Sequence, residues 1–283
     1  MITIANQTLQ ATISPRGAEL KSLRANDREY LWNGAPEVWD SSAPIMFPIC
    51  GGLKNGTYTF GGKTYSLPKH GYVRNTDFEV ESVTPTSAVF LHRSNEQTRA
   101  QFPFDYELRV CYAVQNATLQ VRYEVKNLTD GTMYFSIGSH EGYYTPEGIE
   151  DYDVLFPVDE TLSANVLYGE LCSNQLLPII KESRTLPLYD KYFTVDALVF
   201  KHLRSRSATL RNRKTGKAVR VDFPYANYFL LWHKPNAPYI CLEPWAGVQD
   251  SVNASGQLEE KEGIRLLNKG STYTAEHFIT ILA

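Results

Sequence analysis

Apolar and polar residues alternate along YELRVCYAVQNATLQVRYEVKNL, the clearest pattern in the chain. Tyr106, Leu108, Val110, Tyr112 and Val114 share one face, and Leu119, Val121, Tyr123 and Val125 resume the alternation after QNA. A period of two on both sides of a short polar break predicts an antiparallel hairpin, one face buried and the other wet. TYTFGGKTYSLP predicts a second hairpin, because Gly61 and Gly62 tolerate the positive φ that a two-residue turn demands. ATLRNRKTGKAVRVDF predicts a third, turning at Lys214-Thr215-Gly216. YFLLWHKPNAPYICLEPW reads as two apolar strands around a Pro/Asn turn, and STYTAEHFITIL as a closing strand.

Helical periodicity is poor: no window of about 12 residues keeps apolar positions at i, i+3, i+4 and i+7. APEVWDSSAP has the character of a single turn. Linker-like tracts, heptads and short-period repeats are absent from the sequence. Many strands without helices predict an all-β protein, a large antiparallel β-sandwich forming one domain over residues 1–283.

Hydrophobic residues make up 43% of the chain and charged residues 21%, enough apolar material for a packed core. The net charge of −3 gives no general attraction to nucleic acid or anionic membrane. No apolar run approaches the roughly 20 residues of a membrane span. MITIANQTLQ lacks the basic and apolar regions of a signal peptide. Cys50, Cys111, Cys172 and Cys241 are far apart with no CxxC pair, so reduced thiols, no zinc site and a cytoplasmic location are expected. Aromatic residues reach 12%, a level that sheet packing largely explains and that sugar-binding clefts also use.

Polar residues interrupt apolar or small-residue surroundings at three places. KHGYVRNTDFEV holds His70, Gly71 and Arg74, a spacing that allows imidazole and guanidinium to share one side of a loop or to form a structural pair. SIGSHEGYYTP puts His140 where a strand leaves a sheet, as a corner histidine bonded to backbone or as the wall of a cleft. CLEPWAGVQD puts Glu243 at the end of an apolar strand, either turned to solvent or buried. Burial would raise its pKa toward neutrality, which suits a general base. The stretch Lys201 to Arg220 carries eight Lys and Arg residues and no acid, and its alternation fits the wet face of a strand pair. There is no P-loop, G-x-S-x-G or H-E-x-x-H motif.

Taken in order, SPRGAELKSL, APIMFPICGGLKNGTY, HGYVRNTDF, SIGSHEGYY, FTVDALVFKHLRSRSATL, LLWHKPNAPYICLEPWAGV and GIRLLNKGSTYTAEHFITI resemble the aldose 1-epimerase (galactose mutarotase) family over nearly the whole chain. The resemblance implies a galactose mutarotase-like supersandwich that interconverts α and β anomers of a hexose or hexose phosphate. It implies His140 as general acid, Glu243 as general base and His70 as a second histidine contacting the sugar. Asp196 matches the family's substrate-binding aspartate, and Arg74 and Trp232 become wall residues. General acid and base suffice for ring opening, so no metal, cofactor or covalent intermediate is expected, and the partner is a small sugar. Oligomeric state is not readable.

The chain departs from the family pattern twice. Gly52 stands where many members carry arginine, which leaves Lys54 to supply a cation if its loop bends suitably. Glu141 and Gly142 follow His140 where many members have proline, and an inward Glu141 would raise the histidine pKa. The first departure motivates an alternative reading, a non-catalytic sugar-binding or regulatory protein on the same fold. A sugar-cleaving hydrolase fits less well, since such enzymes use paired carboxylates.

Overall fold

A computed structural model describes residues 1–194 and 196–282 of the chain. Every strand ladder in it is antiparallel. The predicted hairpins form as expected: Tyr106–Gln115 pairs with Thr118–Asn127, Thr57–Phe60 with Lys63–Ser66, Ser207–Asn212 with Ala218–Asp222, and Tyr228–Trp232 with Tyr239–Trp245. Thr272–Leu282 lies between Thr118–Asn127 and Ala218–Asp222 and so joins two of them into one sheet. That sheet contains 15 strands and curls from Ile45–Met46 to Glu79–Val83, while a separate sheet of 4 strands covers residues Ile2 to Glu29.

The period-two pattern explains the layering. Tyr106, Leu108, Val110 and Tyr112 are buried while the residues between them are half-buried. Their buried face shares one apolar cluster with Leu9, Ala11 and Ile13 of the 4-stranded sheet. Each fully buried side chain of this kind contributes roughly 1.5–3 kcal/mol. Tyr112 carries its hydroxyl into that core and donates it to the Ala18 carbonyl at 2.8 Å, which removes the cost of an unpaired buried polar group. The architecture is a large antiparallel β-sandwich.

One α-helix, Glu96–Gln101, is present among the described residues, held by a reciprocal cap between Asn95 and Thr98. No helix among the described residues is long and apolar enough to cross a membrane. Five of the eight cations of Lys201 to Arg220 meet acids: Lys201 reaches Glu262, Arg211 and Arg213 reach Asp153, Lys214 reaches Asp151, and Arg220 reaches Asp222.

The pairing of Tyr152–Tyr168 with Leu171–Pro187 is the longest hairpin, and periodicity does not reveal it. Its register slips four times, so inward and outward positions exchange along it and no clean alternation survives. Its turn matters for function, because Leu167 and Glu170 beside the turn line a cavity that also contains His140 and Glu243.

Candidate active site

The strand Tyr239–Trp245 is buried at every position and runs through the middle of the site. On one side it pairs with Tyr228–Trp232, which sets Leu230 opposite Glu243. On the other side lie two short segments, Gly138–Ser139 and Glu141–Tyr144, with His140 between them. Gly138 faces Trp245 and Glu141 faces Leu242, so the register is continuous across the gap and sets His140 opposite Glu243. The gap itself has a chemical cause: Ser139 falls opposite Pro244, which has no N–H to give the ladder. The Ser139 carbonyl instead accepts the Trp245 indole N–H at 3.1 Å.

Ladder hydrogen bonds alternate along an antiparallel pair. Ala246 donates to Ile137 at 2.8 Å, whereas the amide of Gly142 points away, to Ser42. By that alternation His140 and Glu243 occupy a non-hydrogen-bonded pair, where facing side chains are closest. His140 Nε2 stands 3.4 Å from Glu243 Oε2, and the two side chains are only 11% and 1% exposed. Hydrogen-bond geometry is not met across this gap. Both oxygens of Glu243 and the Nδ1 of His140 are buried without a hydrogen-bond partner.

Burial sets the charges. It drives the Glu243 carboxyl well above the usual carboxylate range, with the Lys69 ammonium pulling the other way and Asp196 reinforcing the rise. Burial also pushes the His140 imidazole down to about 3. Burial thus favours the neutral form of each group. Glu243 behaves as the sequence led us to expect. His140 does not keep an ordinary histidine pKa, because Trp39 and Trp232 crowd its ring at centroid distances of 5.2 and 5.6 Å and displace water.

His70 lies at right angles to His140, with ring centroids 5.5 Å apart. Its Nδ1 accepts the Gly51 amide at 3.1 Å, so in the neutral ring Nε2 carries the proton. Burial, then the neighbouring His140, holds its pKa well below the ordinary value. The glycine after it is a packing requirement: at Gly71, φ is +72° and a Cβ would stand 2.1 Å from the Phe47 carbonyl oxygen. The HG pair thus brings the His70 loop directly against the Phe47 backbone, whose carbonyl also accepts the Tyr72 amide.

The cavity has a volume of about 330 Å³, at the lower end of the roughly 300–1,000 Å³ of small-molecule sites. His140, Glu243 and His70 line it together with Arg74, Asp196 and Trp232, so six predicted residues converge. Lys54 does not. Its ammonium donates to the Ala254 carbonyl at 3.2 Å and its amide to Asp250, which holds it in a different loop. A cation that does line the cavity is Lys69, whose ammonium lies 3.7 Å from Glu170. Glu170 packs on Gly52 so closely that a Cβ there would lie 3.0 Å from its Oε2. The room left by the missing side chain is thus taken by an acid from the long hairpin, which a lysine adjacent to His70 approaches.

Glu141 does not point inward to His140. Strand alternation turns it away from the cavity, and its Oε1 meets His277 Nε2 at 2.9 Å in the sandwich interior. Beyond Lys69 and Glu170, the sequence did not single out Trp39, Trp245 or Gln249, which also line the cavity. Cys241 is likewise new: its sulfur, His140 and Glu243 offer ligand atoms that all lie within 4.8 Å of one another.

Comparison with known proteins gives this fold a family. The sequence profile of the aldose 1-epimerase family matches residues 1–280. The chain belongs to the aldose 1-epimerase family. It is 33% identical over 296 residues to the plasmid protein LacX of Lactococcus lactis subsp. lactis, an alignment covering 99% of each chain. Among solved structures it is similar to a galactose mutarotase related enzyme from Lactobacillus acidophilus, at 36% identity and a TM-score of 0.92 over 100% of this chain and 97% of that one. A galactose mutarotase-like protein from Lactobacillus casei gives a TM-score of 0.93 at 29% identity, with 100% of both chains covered.

Proposed function

We propose that this protein interconverts the α and β anomers of a hexose, free or phosphorylated, by opening and reclosing its ring. The observation that carries this reading is the His140–Glu243 pair, 3.4 Å apart in a cavity of sugar-accommodating size, with unpartnered polar atoms on both members. Unpaired buried oxygens cost stability, and a site that bears that cost is suited to a ligand that supplies hydroxyls.

The reaction needs one transferable proton on the pair. With Glu243 ionised and His140 protonated, the carboxylate takes the O1 proton as the imidazolium gives one to the ring oxygen. The C1–O5 bond breaks, leaving an aldehyde, a carboxylic acid and a neutral imidazole. Rotation about C1–C2 presents the other face of the aldehyde. Closure then returns a proton from Glu243 to O1 and one from the new hydroxyl to His140. The neutral pair favoured by burial is the form that accompanies the open sugar, and ring closure itself restores the carboxylate and imidazolium that start the next opening. Each group is used as acid in one direction and base in the other.

The remaining side chains suit binding. His70 presents Nε2–H to a hydroxyl. Asp196, Arg74 and the Lys69–Glu170 pair offer further polar contacts, and Trp39 and Trp232 cover an apolar sugar face. Magnetisation transfer between the α and β signals of glucose, galactose and their 6-phosphates tests the proposal. Wild-type protein should speed exchange for at least one of them. Binding of a sugar with no faster exchange for any of them would make the protein a sugar binder and overturn the reading.

A further inference from the structure

We propose that His140, Cys241 and Glu243 form a binding site for a thiophilic divalent ion such as Zn²⁺, and that the ion reversibly blocks the acid–base pair. This rests on the function proposed above only for the consequence, not for the site.

The argument begins with strand geometry. Cys241 and Glu243 are two residues apart on the buried strand Tyr239–Trp245 and therefore present side chains to the same face, while His140 comes to that face from the adjacent strand. Their ligand atoms lie within 4.8 Å of one another. Ligands at about 2.0–2.1 Å from a tetrahedral zinc stand about 3.4 Å apart. His140 Nε2 and Glu243 Oε2 are 3.4 Å apart already. A thiolate at about 2.3 Å from the ion would stand about 3.5 Å from the nitrogen, against the limit of 4.8 Å within which the Cys241 sulfur already lies.

The donors are also free to bind. Neither oxygen of Glu243 has a hydrogen-bond partner, and this side chain is 1% exposed. No competing cation is seated on it: the ammonium of Lys69 is directed to Glu170 instead. The combination of imidazole, thiolate and carboxylate suits Zn²⁺ and disfavours Mg²⁺ or Ca²⁺, which prefer oxygen alone. A fourth position, open to the cavity, remains for water or a sugar hydroxyl.

One feature argues for reversible inhibition rather than a permanent structural ion. The other nitrogen of His140, Nδ1, has no partner, so the orienting hydrogen bond that strengthens most zinc-bound histidines is missing. An ion held here occupies the imidazole nitrogen and the carboxylate that the proton transfers require.

Co²⁺ serves as the optical probe, with the thiols kept reduced by a phosphine. Wild-type protein should develop a thiolate-to-cobalt charge-transfer band that Zn²⁺ removes. Cys241→Ser, Cys241→Ala and Glu243→Gln should each lose it, whereas Cys111→Ser, at the half-buried cysteine, should retain it. Zn²⁺ should slow wild-type anomer exchange at least tenfold, EDTA should restore it, and Cys241→Ser should need at least tenfold more Zn²⁺. No band in wild type, or a band that survives both Cys241 substitutions, would overturn the site. Equal Zn²⁺ sensitivity of wild type and Cys241→Ser would overturn the blocking role. The band requires no turnover, so a protein that binds Co²⁺ through Cys241 yet exchanges no anomers would remove the proposed function and leave the site standing.

Discussion

Replacing His140 by glutamine should flatten the acid side of the stability curve. In the unfolded chain this histidine titrates at its ordinary value of 6.5, and in the folded site burial holds it at about 3. Between these values the unfolded chain binds a proton that the folded protein refuses, so stability is present above 6.5 and is lost as pH falls. Each unit corresponds to about 1.4 kcal/mol, so lowering the pH from about 7.5 to about 5 should cost the wild type about 2 kcal/mol through this residue alone. The substitution removes that term, whatever its pH-independent effect. Urea unfolding of wild type and His140→Gln at the two pH values gives four free energies and one difference of differences, expected at about 2 kcal/mol. Glu243 acts with the opposite sign: its raised pKa favours the folded state at low pH and penalises it as pH rises above the ordinary carboxylate value. Glu243→Gln should therefore gain stability relative to wild type as the pH rises from about 5 to about 7.5. Parallel pH curves for wild type and His140→Gln would refute the claim that His140 is buried as a neutral ring.

Lys54→Ala should leave anomer exchange within about twofold of wild type, since that ammonium is held by the Ala254 carbonyl outside the cavity. Lys69→Ala should raise the KM for sugar and move the acid limb of the pH–rate profile upward, because the lost cation is one that lowers the Glu243 pKa. Denaturant unfolding should find Glu141→Ala destabilised by about 1–3 kcal/mol, the usual cost of leaving a buried hydrogen-bond partner unpaired, here His277. An effect below about 1 kcal/mol would mean that the pair contributes little more than a surface contact.

Much of the sandwich is visible in the sequence because its hairpins are regular. Where Tyr106 to Val125 alternate one for one, every buried position is written in the order of residues. The long hairpin ending near Gly169 is hidden for the converse reason: four register slips scramble the alternation. The site divides in the same way. His140 and Glu243 stand out as polar residues in small or apolar runs, but their partnership depends on a register set by Gly138, Glu141 and their partners across the sheet. Lys54 is close to Gly52 in the chain but not in the cavity. The side chain that fills the space at Gly52, Glu170, arrives from the hairpin that periodicity does not detect, and its ion-pair partner Lys69 from another loop. Cys241 reads as an ordinary strand residue until the neighbouring strand brings His140 beside it.

The central claim, that one imidazole and one carboxyl move the protons, is tested most directly by anomer-exchange rates for wild type, His140→Ala and Glu243→Gln, each saturated with the same sugar. Both variants should bind the sugar and lose about 10²-fold or more of the exchange rate, the usual contribution of a positioned acid or base. A wild-type rate in either variant would contradict the account.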